Sequence, residues 1–156
     1  MTKAKNEIAD EFRLYADLLR IDGQESRAFA YDTAAEGLRR ANYMPPDPSR
    51  INGIGPSIRE KIVDLDCGRG IGDLAALKDT YPWYIEFSQV DGLGPALGQR
   101  IYDEFGVETI DGLLDVGEDI TQAKGIGDAT ASTILKGARA IQSQSPSMQS
   151  FSLMHE

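Results

Sequence analysis

Ile51-Asn52-Gly53-Ile54-Gly55-Pro56 returns almost unchanged as Val90-Asp91-Gly92-Leu93-Gly94-Pro95 and again as Ala123-Lys124-Gly125-Ile126-Gly127-Asp128. In each copy two glycines flank one aliphatic residue, a polar residue precedes the first glycine, and an apolar residue precedes that. Starts at 51, 90 and 123 are separated by 39 and 33 residues. The stretches between them differ in length and pattern, which favours a few related modules in one compact helical protein over a solenoid.

On either side of these turns the apolar residues recur at helical spacing. Between Asn6 and Arg20, Ile8, Phe12, Tyr15 and Leu19 follow at steps of four, three and four, one face of an amphipathic helix that Asp22-Gly23 stops. Residues 25–40 resume the pattern with Phe29, Tyr31, Ala34, Ala35 and Leu38, the alanines allowing close helix packing. Pro45-Pro46-Asp47-Pro48 cannot continue a helix and is expected to be an extended connector into the first glycine turn. Pro56 and Pro95 each suit the first position of a following helix, where a missing amide donor has no intrahelical partner.

Further on, Asp73 to Lys78 is a short helix stopped by Tyr81-Pro82, which marks a boundary. The second turn feeds a helix to Phe105, followed by a Gly106 stop and an apolar turn around Ile110, Leu113 and Leu114. The third turn feeds a helix to about Ile141. No segment alternates as a strand, and residues 142–156, rich in Ser and Gln, are expected to be a mobile tail.

Composition narrows the function. The 156 residues are 41% hydrophobic without a long apolar run, and the start has no secretory pattern, so an intracellular protein without a membrane partner is expected. One cysteine and one histidine exclude an internal disulfide, a Cys/His zinc site and a His-based triad. The net charge of −9 argues against a broad nucleic-acid face, but it is unevenly spread. Residues 13–69 hold nine Lys/Arg against nine Asp/Glu, and residues 70–156 hold five against thirteen. The first half is therefore the better electrostatic footprint, while the acidity is equally explained as an adaptation to high intracellular salt.

The turns themselves suggest a ligand. A glycine turn before a helix leaves backbone amides pointing outward, where the helix dipole favours a phosphate oxygen, and glycine permits both the dihedral and the close approach. An ordinary helix–helix turn explains one isolated Gly-Ile-Gly, whereas three copies with matching flanks favour the ligand. By this reasoning Gly92→Val is expected to lower affinity for the phosphate-bearing ligand without loss of the fold.

These residues resemble helix-hairpin-helix motifs, which bind the DNA backbone without reading sequence. The order of elements over residues 6–141, with Ala30-Tyr31 in the second helix and a lysine after the first hairpin, also looks like the amino-terminal lyase domain and adjoining DNA-gripping subdomain of family X DNA polymerases, the polymerase beta kind. The resemblance implies an all-α fold. A four-helix lyase-like domain over 6–80 holds the first hairpin, and a helix-hairpin-helix domain spans 83–141. The chain ends where the family's nucleotidyltransferase palm would begin, so polymerisation by this chain alone is not expected.

The resemblance also implies roles. Lys61 matches the lysine that forms a Schiff base with a 5′-deoxyribose phosphate, Glu60 an acidic neighbour, and Tyr31 an aromatic residue of the same site; core packing is an equally good reading of Tyr31. Backbone amides near Gly53, Gly55, Gly92 and Gly94, and in the third turn Gly125 and Gly127, are expected at phosphates, with charge from Arg27, Arg50, Arg59, Arg100 and Lys124. Packing is the alternative for the third turn. A Na+ or K+ ion held by the carbonyls of Ser49, Ile51 and Ile54, and of Ser88, Val90 and Leu93, is implied as well; no other cofactor is expected. Ser26, Asp32, Thr33, Ser49 and Ser57 replace residues that tend to be basic or imidazole-bearing in the family, which weakens phosphate attraction.

The leading expectation is sequence-independent binding of gapped, nicked or end-bearing DNA in base excision repair or a related process, beside a separate polymerase or repair protein as partner. An active 5′-deoxyribose-phosphate (AP) lyase and a protein-interaction module that kept the fold without DNA are the alternatives.

Overall fold

The computed structural model describes residues 4–143. These residues form eight α-helices and two short 3-10 segments, without a strand, and the chain divides into two compact units, Met1–Tyr81 and Pro82–Glu156. Among the described residues no helix is long and apolar enough to cross a membrane.

The first unit contains α1 (Lys5–Ile21), α2 (Glu25–Arg40), α3 (Pro56–Asp66) and α4 (Leu74–Thr80). Its core is the α1–α2 pair. Ile8, Phe12, Tyr15 and Leu19 are fully buried, as the spacing predicts, and face Ala28, Tyr31, Ala34, Ala35 and Leu38 of α2. Phe29, expected in this stripe, is 69% exposed. At about 100° per residue it stands roughly opposite the face that Ala34, Ala35 and Leu38 define. Gly23, at φ +84, turns the chain between the two helices.

The proline connector is not extended throughout. Pro48–Arg50 closes a 3-10 turn because Pro48 suits its first position and the Asp47 carboxylate accepts from the Ser49 amide at 3.1 Å and hydroxyl at 2.7 Å.

The second unit contains α5 (Pro82–Phe87), α6 (Pro95–Phe105), α7 (Ile110–Val116), a 3-10 segment Gly117–Gln122, and α8 (Asp128–Ser143). Pro82 does more than stop α4, since it opens α5, a helix absent from the sequence reading. Trp83, Tyr84 and Phe87 of α5 are buried. Trp83 stacks on Tyr102 of α6 with ring centroids 4.6 Å apart and planes 8° from parallel. The apolar turn at Ile110 is likewise a true helix, capped by the Thr109 hydroxyl accepting from the Gly112 amide at 3.0 Å. Gln142 and Ser143, assigned above to the tail, still belong to α8; the remainder of that segment lies outside the described residues.

Candidate nucleic-acid interface

The three glycine turns share one backbone solution. Gly53, Gly92 and Gly125 adopt φ of +93, +86 and +88, the left-handed region that favours glycine. The amide of the aliphatic residue that follows, Ile54, Leu93 or Ile126, donates to the carbonyl of Ile51, Val90 or Ala123 at 3.1, 3.2 and 3.2 Å. These six apolar side chains are all buried, so each turn is held to its unit from within. The second glycine then caps the next helix, with φ −90 and ψ −178 at Gly55 and φ −88 and ψ −176 at Gly94. The first intrahelical bonds run from Arg59 to Gly55, Gly98 to Gly94 and Ala131 to Gly127.

Two turns rest on the same helical device. A methyl group on Gly53 would lie 3.0 Å from the Thr33 methyl carbon, and one on Gly92 would lie 2.9 Å from that of Thr133. One helical turn beyond each threonine stands another glycine. A methyl on Gly37 would collide with the Asn52 carbonyl, and one on Gly137 would crowd the Asp91 amide and carbonyl at 3.2 Å. The pattern Thr-x-x-x-Gly at 33–37 and 133–137 thus seats the first and second turns on α2 and α8. Sequence reasoning passed over Gly37 and Gly137, although a glycine inside a helical pattern signals close backbone approach. The third turn is seated differently: Arg100 of α6 donates to the Lys124 carbonyl at 2.8 Å and packs against Gly125.

The first and second glycines therefore do different jobs. Gly92 belongs to the packing, so Gly92→Val strains the fold itself, contrary to the expectation above. Gly55, Gly94 and Gly127 have nothing within 4 Å of where a side chain would begin, and their φ values are not in the left-handed region. Gly55 and Gly94 supply no side-chain cap to α3 and α6. Amides of the first turns of α3 and α6, at Ser57, Ile58, Ala96 and Leu97, precede the first i−4 hydrogen bond and are left to solvent or an anion. At the third turn Asp128 places a carboxylate at the head of α8, which already complements that dipole.

Most nearby cations are committed within the protein. Arg27 reaches Asp73 at 3.1 Å, the Gln24 side-chain oxygen at 2.7 Å and the Tyr15 phenolic oxygen at 2.7 Å, while the Tyr15 hydroxyl donates to Asp73. Hydrogen bonds from Arg27 and Tyr15 hold the Asp73 carboxyl below its ordinary range. Burial, and then the bond to Asp73, pushes the Tyr15 phenol up to about 12. Arg59 pairs with Asp47 at 3.1 Å, and Asp47 is held low by its Ser49 hydrogen bonds. Arg100 serves the third turn, as described, while Lys124 is exposed.

Of the expected lyase residues, Lys61 is half-buried on α3 and Glu60 is exposed beside it. Tyr31 lies in the aromatic core, its ring centroid 5.3 Å from that of Phe12 and 4.5 Å from that of Tyr15, and burial raises its phenol. Among the carbonyls expected to hold a cation, those of Ile51 and Val90 each already accept one amide, leaving a second lone pair. No cluster of three or more His, Cys, Asp or Glu able to hold a metal occurs among the described residues.

Residues 84–140 match the family model of a SAM-like helix-hairpin-helix tandem. The match takes in the second and third turns with their seats on α8 and α6, so the second unit contains a helix-hairpin-helix domain. No curated protein matches the chain.

Proposed function

We propose that this chain grips the sugar-phosphate backbone of gapped, nicked or end-bearing DNA without reading its sequence, as part of DNA repair, with base excision repair the setting its resemblance to family X polymerases points to. One observation carries the reading. Gly55 and Gly94 stand in open space at helix starts, where no internal contact or left-handed dihedral requires glycine and where Ser, Asp or Asn caps somewhat better. A phosphate drawn against the bare amides gives glycine a purpose there. The helix-hairpin-helix tandem over 84–140 supports the same reading.

With a net charge of −9 the attraction is local to the turns and opposed at longer range. A Na+ or K+ ion at the carbonyls of Ser49, Ile51 and Ile54, and of Ser88, Val90 and Leu93, would offset this by bridging to phosphate oxygens. A separate polymerase or repair protein acting on the same DNA end is the partner the proposal includes. The test is fluorescence anisotropy with two gapped duplexes of unrelated sequence across a salt series in which circular dichroism shows the fold intact. The two affinities should agree and fall together as salt rises. Absence of binding at the lowest salt that preserves the fold would refute the proposal.

A second reading is 5′-deoxyribose-phosphate lyase activity through Lys61, whose amine makes no ion pair among the described residues while most arginines of its unit do. The amine would add to the C1′ aldehyde and lose water to give the imine, which acidifies C2′; loss of a C2′ proton then expels the phosphate ester at C3′, and water hydrolyses the imine to free Lys61. Borohydride trapping should then yield a covalent adduct that Lys61→Ala abolishes. Binding without an adduct would leave a DNA-gripping protein without the chemistry.

A further inference from the structure

An open groove of about 940 Å³ lies beside the first hairpin. Its walls include Phe29 of α2, Arg40 at the end of that helix, Tyr43 of the connector, and Arg50, Asn52 and Gly53 at the hairpin. Phe29 is 69% exposed and Tyr43 71% exposed; among the described residues the other large hydrophobic residue left exposed is Val63 at 43%. Scattered exposed apolar residues are ordinary, but two aromatic side chains lining one groove are not scatter. Phe29 is not needed by the core, since α2 packs through its opposite face, and Tyr43 of the connector is left exposed.

The charge at this groove is also distinctive. The first unit holds eight arginines, at 13, 20, 27, 39, 40, 50, 59 and 69. Seven of them pair with carboxylates. The Arg50 guanidinium makes no hydrogen bond or ion pair among the described residues. Glu36 also lines the groove, but it is engaged by Arg40; Arg50 has no close ion pair, and the carboxylate whose charge it feels, Asp47, is already held by Arg59 and Ser49.

We propose that this groove takes an unpaired nucleobase, stacked on Phe29 and Tyr43, from a DNA strand whose backbone lies at the first hairpin and whose adjacent phosphate meets Arg50. The inference rests on the backbone-binding reading above and adds to it the means of choosing gapped or frayed DNA. A base within a duplex has both faces covered by its neighbours, whereas an unpaired base offers a free face to an aromatic ring. Every base has such a face, so the contact is indifferent to sequence. An aromatic surface beside a guanidinium without a close ion pair and a polar Asn52 suits a ligand that is planar at one end and anionic at the other.

The test compares three DNAs by anisotropy: a duplex with intact bases in a short gap, the same gap built from tetrahydrofuran abasic residues, and an uninterrupted duplex. Wild type, Phe29→Ala and Tyr43→Ala are measured, with circular dichroism to verify the fold; both side chains are exposed, so the variants should fold. Wild type should favour the gap with bases over the abasic gap by at least about fivefold, the lower end of a single base-stacking contact. Each substitution should remove most of that preference and leave binding to uninterrupted duplex unchanged. Equal binding of the two gaps by wild type, or an undiminished preference in both variants, would overturn the groove assignment while leaving backbone binding in place. No binding of any of the three DNAs would remove the backbone reading itself and leave the groove to a protein partner.

Discussion

Replacing Gly92 by alanine and, separately, Gly94 by alanine should split stability from binding across two neighbouring positions. Gly92 sits at φ +86, where an L-residue costs about 1–2 kcal/mol. The added methyl would also lie 2.9 Å from the Thr133 methyl carbon, and relieving that contact costs on the order of 1 kcal/mol. Together they destabilise the second unit by about 2–3 kcal/mol, which lowers its melting temperature by roughly 10–20 °C for a unit of this size. Gly94, at φ −88 and ψ −176, meets nothing within 4 Å. There alanine reduces unfolded-chain entropy by an amount worth about 0.4–1 kcal/mol and gives up a comparable amount as a poorer N-cap, so stability stays nearly constant. On the proposed reading, however, its methyl stands where a phosphate approaches. Losing one hydrogen bond to a charged group, about 1.5–3 kcal/mol, lowers DNA affinity roughly tenfold or more. Trp83, the single tryptophan, reports unfolding of this unit by fluorescence, and anisotropy on a gapped duplex reports binding. A Gly94→Ala protein that melts as early as Gly92→Ala, or that binds DNA like wild type, would refute the division of labour between the two glycines.

Gly37→Ala should destabilise the first unit by about 1–3 kcal/mol, because the methyl collides with the Asn52 carbonyl, and should leave the Trp83 transition in place; urea denaturation followed by circular dichroism and by fluorescence checks both. Gly98→Ala should be tolerated or stabilising by up to about 1 kcal/mol, since its methyl would make ordinary contacts of 3.5–3.6 Å with Phe87, Trp83 and Tyr84 and alanine is the better helix former. The Tyr15 phenol is raised to about 12 in the folded protein, so its contribution is complete below the unfolded value near 10 and is lost as pH climbs from there toward 12. Asp73 is depressed, so its contribution is present above the unfolded carboxylate value near 4 and fades as pH falls through the lower folded value. Melting temperatures across pH should therefore decline at both ends, with Tyr15→Phe flattening the alkaline decline and Asp73→Asn the acid one.

The all-α class and the three turns were legible because both rest on local rules: helical spacing at Ile8, Phe12, Tyr15 and Leu19, and glycine chemistry at 53, 92 and 125. What was not legible depends on partners distant in sequence. Phe29 looked like core until α1 fixed which face of α2 is covered. Pro82 read as a terminator, yet the same missing amide makes it a good first residue for α5, and only the packing of Trp83, Tyr84 and Phe87 against α6 chooses between the two. The seats at Gly37 and Gly137 carry a repeated Thr-x-x-x-Gly pattern, but its meaning appears once Asn52 and Asp91 are brought against them. At the candidate site, the spacing of Arg27 and Arg59 gave no sign that Asp73 and Asp47 already engage them.

In the proposed binding mode the bare amides at the heads of α3 and α6 receive DNA phosphates. An amide-resolved NMR titration with a gapped duplex measures this directly. The largest shifts should fall on residues 55–58 and 94–97, Pro56 and Pro95 excepted for want of an amide proton, and should fade as salt rises. Binding that leaves both sets unmoved while perturbing other amides would contradict it.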